Sequence, residues 1–322
     1  MKQINQKAYG AYAKSDKLRM ESSSGGVFSV LAEQVLAQGG AVWGAAFDQD
    51  FNVVYQCVEK PEELAALRGS KYVFLPIAGL AERMKPQLTT GKPVLAVVSP
   101  CQAAALRRQL GDPENLLLVD FVCHGAPDAA VWQQYLQETA QAADGPVDGV
   151  NFRKKTGLWT DYKMELLFPD GSVLSSQPQN NPYMQAFLAN LSIREACTRC
   201  TAKGENRGSD LTLGDFWGVS KICPEIYEKT GTSLVFVNTQ AGQDWWDRCG
   251  AELICYEVSP AEAVRFNPSA VYPSAKGEHW LDYQGELAEH TLAELAKAYC
   301  TPDKSTQLKS KVKGALKRLL GR

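Results

Sequence analysis

Histidine is scarce in this sequence, with three among 322 residues. Any metal site must therefore lean on thiolates, and nine cysteines are available for one. Long apolar runs are missing as well. Stretches such as Val94 to Val98 hold only a handful of residues, far short of the roughly 18 that a transmembrane helix needs. The opening Met-Lys-Gln-Ile-Asn-Gln-Lys has no apolar segment behind its charges, which speaks against a secretory signal. A cytoplasmic protein is expected. Surplus charge of either sign is also lacking: 34 Lys and Arg face 36 Asp and Glu, for a net charge of -2. Nucleic acid as the main partner would call for a basic surplus and is set aside. What is present, 45% hydrophobic and 22% charged residues, is the composition of an ordinary globular protein. The length suits two domains, or one large domain with an insertion.

In a reducing compartment, clustered cysteines more often hold metal or do redox chemistry than form bridges. Thiolate-rich sites favour zinc or iron–sulfur clusters.

Hydrophobic patterning suggests the organisation. Helical spacing of Val27, Val30, Leu31 and Val35 follows a Ser-Ser-Gly-Gly start, within residues 23–38. Strands are expected at 41–47, 52–58, 94–98 and 116–122, with helices at 78–88, 100–110 and 129–141. The apolar runs at 94–98 and 116–122 suit a buried parallel sheet with right-handed crossovers. Beyond Gly145-Pro146, residues 161–168 and 172–175 read as a hairpin about Asp170-Gly171. A helix over 182–194, a cysteine loop, a strand at 233–238, a helix at 241–249 and a strand at 252–258 follow. The fold class is thus α/β, α+β overall: a mixed or parallel sheet flanked by helices, with an inserted or C-terminal cysteine-containing region. We divide the chain into 1–145, 146–300 and a tail, 301–322. Between Lys304 and Arg322 the tail has seven basic and no acidic residues. Val312, Leu316, Leu319 and Leu320 fall on one helical face there. Such a helix suits an anionic membrane surface, an acidic redox partner, or a solvated chain end.

Three constellations carry chemistry. Cys101 and Cys123 each follow an apolar strand, so parallel neighbours would set both thiols on the carboxyl edge, where open α/β sheets bind ligands. Buried cysteines packing as small hydrophobes are the plain alternative. Cys197-Thr198-Arg199-Cys200 grips a metal by its spacing or serves as a redox dithiol. Two and two give four thiolates, enough for a [4Fe–4S] cluster or for a four-cysteine zinc site. Finally, Ser22-Ser23-Ser24-Gly25-Gly26 at a helix start admits a phosphate to backbone N–H groups, or simply caps the helix. Gly69-Ser70-Lys71-Tyr72 adds a cation and a ring.

Taken in order, the motifs are more specific. Ser23-Ser24-Gly25-Gly26-Val27-Phe28-Ser29, Gly40-Ala41-Val42-Trp43-Gly44, Gly69-Ser70-Lys71-Tyr72, Pro100-Cys101-Gln102 and Cys123-His124-Gly125-Ala126-Pro127 come first. Phe152-Arg153-Lys154-Lys155, Cys197-x-x-Cys200, Asp210 to Gly218 and Gly231-Thr232-Ser233-Leu234 follow. This string, from about residue 9 to 240, resembles the beta subunit family of coenzyme F420 hydrogenases and dehydrogenases, whose superfamily includes chlorophyll-pathway reductases. The resemblance implies an oxidoreductase that holds FAD beside a [4Fe–4S] cluster. It implies Cys101, Cys123, Cys197 and Cys200 as cluster ligands, and Ser23, Ser24, Gly25, Gly26, Ser70, Lys71 and Tyr72 as flavin contacts. Lys71 near a flavin ring would stabilise its anionic reduced form, and His124 is the candidate proton donor. The family often reads Gly-Thr-Pro-Cys where this chain has Val98-Ser99-Pro100-Cys101, and Ser-Cys where it has Ala196-Cys197. Many bacterial members carry an N-terminal ferredoxin module, but no cysteine here precedes Cys57. Electrons are therefore expected from ferredoxin or another redox protein, with F420 or a different small molecule as acceptor. A four-cysteine zinc scaffold and an electron-transfer subunit without its own substrate are the alternatives. Arg194, Arg199 and Arg207 are expected to clamp an anion or to form ion pairs, and Cys223 is the reserve ligand.

Overall fold

The computed structural model describes residues 3–205 and 207–300; the basic tail expected to form a helix lies outside them. Among the described residues, eleven strands build two sheets. They are β1 (Gln3–Ala13), β2 (Ala41–Phe47), β3 (Val53–Val58), β4 (Val94–Val98), β5 (Leu116–Phe121), β6 (Gly149–Lys155), β7 (Tyr162–Leu167), β8 (Val173–Ser176), β9 (Leu211–Asp215), β10 (Ser233–Thr239) and β11 (Leu253–Val258). The large sheet runs β11-β1-β10-β9-β5-β4-β2-β3, and the small one runs β6-β7-β8.

The middle of the large sheet is parallel: β2 with β4, β4 with β5, and β5 with β9. Its strands are largely apolar because helices cover both faces. The helices Val27–Ala37 and Gln240–Cys249 pack on one face through Val30, Leu31, Trp245 and Trp246. The helices Leu80–Leu88 and Pro100–Leu110 pack on the other through Met84, Ala103 and Leu106. Antiparallel β3 closes one side, and antiparallel β10, β1 and β11 extend the other. The fold is the mixed α/β class expected. Strands from both sides of residue 145 share the large sheet.

Three elements depart most from the sequence reading. The helix placed over 182–194 stops at Leu188, because the chain turns at Asn190, which takes a φ of 60°. Strands β1 and β6 were not expected at all. Gly10 in β1 is required by packing: a Cβ there would lie 2.8 Å from Ile226 and 2.9 Å from Phe216.

The small sheet packs with the helices Ala129–Ala142, Pro182–Leu188 and Leu292–Tyr299 around Trp132, Phe152, Tyr183 and Phe187. Two buried ion pairs tie the loop before β9 to the sheet. Arg207 meets Asp120 at 2.9 Å, and Arg107 meets Asp210 at 2.8 Å. Arg207 is therefore a structural residue and does not clamp a ligand. Among the described residues, no helix is long and apolar enough to cross a membrane.

Candidate functional site

The carboxyl ends of β2, β4, β5 and β9 meet the amino end of β10 at one edge of the large sheet, as the strand pairings require. A cavity of about 740 Å³ lies there, within the usual size of a small-molecule site. It is lined by Cys101, Cys123, Cys197 and Cys200, by His124 and by every proposed flavin contact except Gly25.

The four thiols arrive from three stretches. Cys101 occupies the first turn of the helix that follows β4. Ser99 N and Oγ donate to Gln102 Oε1 at 3.0 and 2.8 Å, and the Tyr55 hydroxyl donates to the same oxygen at 2.7 Å. The Gln102 amide in turn donates to the Leu75 carbonyl. This knot fixes the helix start and with it the position of Cys101. Cys123 follows β5, whose register with β4 runs unbroken from Val94–Leu116 to Val98–Asp120. The parallel neighbours anticipated from the apolar runs are present.

The Cys197–Cys200 segment is drawn to Cys123 by pairing. Pro127 bridges Ile193, and Arg194 N donates to the Ala126 carbonyl at 3.0 Å. Gly125 has a φ of 134°, and a Cβ on it would come within 3.3 Å of Cys197 Cβ. Glycine is what lets the two cysteine loops approach. Burial pushes the Cys123 thiol up to about 12, and the neighbouring Cys197 and Cys101 push it the same way, while Lys203 opposes. The Lys203 ammonium donates to the Tyr272 carbonyl at 3.0 Å, and its charge acts on Cys123, Cys200 and Cys197. Sequence reasoning did not single it out. Among the described residues, no three His, Cys, Asp or Glu side chains form a ready single-ion site. Cys223 is buried and donates to Glu225 Oε2 at 3.4 Å, and it does not line the cavity.

The two serine-glycine loops are brought together. Ser70 N and Oγ donate to Ser23 Oγ at 2.9 and 3.0 Å. Gly26, with a φ of 86°, caps the helix Val27–Ala37. Two of the expected flavin contacts also have partners within the protein. Gly25 N–H is not free for a phosphate, because it donates to Ser233 Oγ at 2.9 Å. Lys71 is a fastener of its own loop: its ammonium donates to the Ala66, Arg68 and Gly69 carbonyls at 3.0, 2.8 and 3.4 Å. Tyr72 lays its ring 5.0 Å from that of Phe187, which also meets the His124 ring edge-on at 5.1 Å. Asn190 Oδ1 accepts from His124 Nε2 at 2.5 Å, and burial lowers the imidazole's affinity for a second proton. Arg194 pairs with Asp128 at 2.8 Å and covers Phe74, while exposed Arg199 pairs with Glu195.

Period-two geometry puts Arg153 and Lys155 of β6 on one side of the strand, and both are buried. This alternation within Phe152-Arg153-Lys154-Lys155 was the available signal. Lys155 Nζ donates to the Arg19, Ser24 and Thr230 carbonyls at 2.6, 2.8 and 2.5 Å. It thereby pins the Ser22–Gly26 loop to the loop before β10.

Burial, then the nearby Arg153 charge, lowers the Lys155 pKa to about 8. The unfolded value is about 10.4, so between those limits the unfolded chain binds the proton more tightly. The contribution of Lys155 to stability therefore rises as pH increases from about 8 to 10. Urea unfolding of Lys155→Met and the parent should show a steeper rise in the parent, since Lys71, whose pKa burial also lowers to about 8, contributes to both; parallel profiles would refute it.

Two family models fit the sequence, covering the two halves of "Coenzyme F420 hydrogenase/dehydrogenase, beta subunit". The N-terminal model matches residues 8–82, and the C-terminal model matches residues 91–263. The chain belongs to the coenzyme F420 hydrogenase/dehydrogenase beta subunit family. The family's C-terminal match includes all four cavity cysteines, and its N-terminal match includes both serine-glycine loops. Among solved structures, the chain is similar to one from the F420-reducing [NiFe] hydrogenase complex of Methanosarcina barkeri. The match has a TM-score of 0.53 at 18% identity and covers 92% of this chain and 91% of that one. At that identity the likeness speaks for the fold. No curated protein matches significantly.

Proposed function

We propose that this chain is an iron–sulfur flavoprotein, an electron-transferring oxidoreductase subunit that reduces or oxidises a small organic or deazaflavin-type acceptor. The observation that carries this reading is the convergence of Cys101, Cys123, Cys197 and Cys200 on the same cavity as the Ser23–Ser70 zipped loops. The residues fit the groups. Four thiols, with no imidazole needed, are the donor set of a [4Fe–4S] cluster. The cavity is wide and lined mostly by apolar atoms, and the helix start at Gly26 borders it, which suits a flavin ring and its phosphates.

Bound there, a flavin exchanges hydride with an organic molecule and single electrons with a cluster. The chain's own residues prepare the place. Burial holds the Cys123 and Cys197 thiol pKa values up, and the Lys203 charge beside Cys123 opposes it. His124 lines the cavity with Nε2 donating to Asn190, as the candidate for proton exchange with an acceptor. Lys71 and Lys155 hold the two flavin loops in place. Phe121, Leu188 and Trp217 line the cavity and are 40%, 50% and 40% exposed, leaving an apolar approach for an acceptor. Ferredoxin or another redox protein supplies or takes the electrons, within a multi-subunit complex.

Anaerobic purification followed by cofactor mass spectrometry and iron, sulfide and zinc analysis tests the reading. Flavin with about four irons and four sulfides per chain is the expected result. Colourless protein carrying stoichiometric zinc overturns it.

A further inference from the structure

Among the described residues, eight have a buried side-chain nitrogen or oxygen without a hydrogen-bond partner. Only Arg153 and Asn267 of these line the cavity, and Arg153 alone is charged. Its guanidinium is held at one corner: Nη1 donates to Asp215 Oδ2 at 2.6 Å. The Tyr162 ring lies over the group, 4.6 Å from its centre. Nε and Nη2 have no partner, although the side chain is only 5% exposed.

Those two atoms form one edge of the guanidinium. Their N–H bonds point the same way, a fork whose spacing matches two oxygens of a carboxylate or phosphate. Buried donors left unpaired are destabilising, and native structures keep few of them. Here Asp215 fixes the plane and leaves the forked edge unused. The one neighbouring carboxylate is thus engaged with the opposite corner.

We propose that Arg153 is the receptor for an oxyanion entering the cavity, bound side-on through Nε and Nη2, with Tyr162 as the ring that shields the fork until the ligand arrives. The ligand is a phosphate or carboxylate, carried by a flavin nucleotide or by the acceptor. The assignment stands on the guanidinium and the cavity, and holds whether or not a flavin proves resident.

The test uses the full chain with Arg153→Gln and Arg153→Lys; the lysine keeps a charge for Asp215 but lacks the fork. Flavin-stripped protein is titrated with riboflavin, FMN and FAD, and protein as purified is titrated with inorganic phosphate and with acetate. Tryptophan fluorescence is the readout throughout. If a flavin phosphate is the ligand, both variants bind FMN and FAD about 10- to 100-fold more weakly, the range of a charge-assisted hydrogen-bonded pair, with riboflavin unchanged. If the acceptor carries the anion, all three flavins bind as in the parent and the phosphate or acetate response is lost from both variants. Parent-like binding of every probe by folded Arg153→Lys overturns the assignment. So does a uniform loss that includes riboflavin, which would mark Arg153 as only a structural partner of Asp215.

Discussion

Replacing Cys197 or Cys200 by serine is expected to reduce iron from about four atoms per chain to below one, with loss of the broad visible absorbance of thiolate-ligated iron. Serine keeps the size of the side chain but lacks a thiolate at neutral pH. The effect should be large because each of these thiols is one of the four proposed ligands. Cys223→Ser is the control and should keep full iron, since that thiol points to Glu225 away from the cavity. Full iron in both Cys197→Ser and Cys200→Ser would remove the CxxC pair from the ligand set.

Much of this site was legible before any coordinates. Cys101 and Cys123 were placed by the apolar runs ahead of them, because an uninterrupted run of Leu and Val is buried on both faces and its end marks the sheet edge. The CxxC spacing flagged the second pair. What escaped was tertiary. β1 reads Lys-Ala-Tyr-Gly-Ala-Tyr-Ala from residue 7, without a clear alternation, and is a strand through its pairing with the distant β10 and β11, with Gly10 leaving room for Phe216 and Ile226. The helix at 182 ended early at a single left-handed residue, Asn190. The family resemblance implies Lys71 as a flavin contact, and its three carbonyl partners appear only when the loop is folded. Arg153 and Lys155 stood in a quoted motif, yet their burial depends on the Asp215 carboxylate and the Ser24 carbonyl, which come from distant parts of the chain.

Gly25 shows how such tertiary packing alters the meaning of a substitution. A Cβ on this residue would lie 2.6 Å from the Ala11 carbonyl oxygen and 2.8 Å from Ser233 N. Both are backbone atoms of paired strands and have nowhere to go. Even alanine must therefore push the Ser22–Gly26 loop outward, breaking the Gly25–Ser233 hydrogen bond and straining the Ser23–Ser70 pair. Overpacking of this kind is worth about 1–3 kcal/mol. Strain near 2 kcal/mol, relieved by moving the loop, weakens flavin binding about 30-fold. Gly25→Ala should thus lower both flavin affinity and the melting temperature of the flavin-free chain. Gly250→Ala is the matched control, because nothing lies within 4 Å of its added Cβ, and it should change neither. A Gly25→Ala chain that melts normally without flavin but fails to bind it would show that the methyl blocks the ligand itself. One that melts and binds normally would remove the loop from the site.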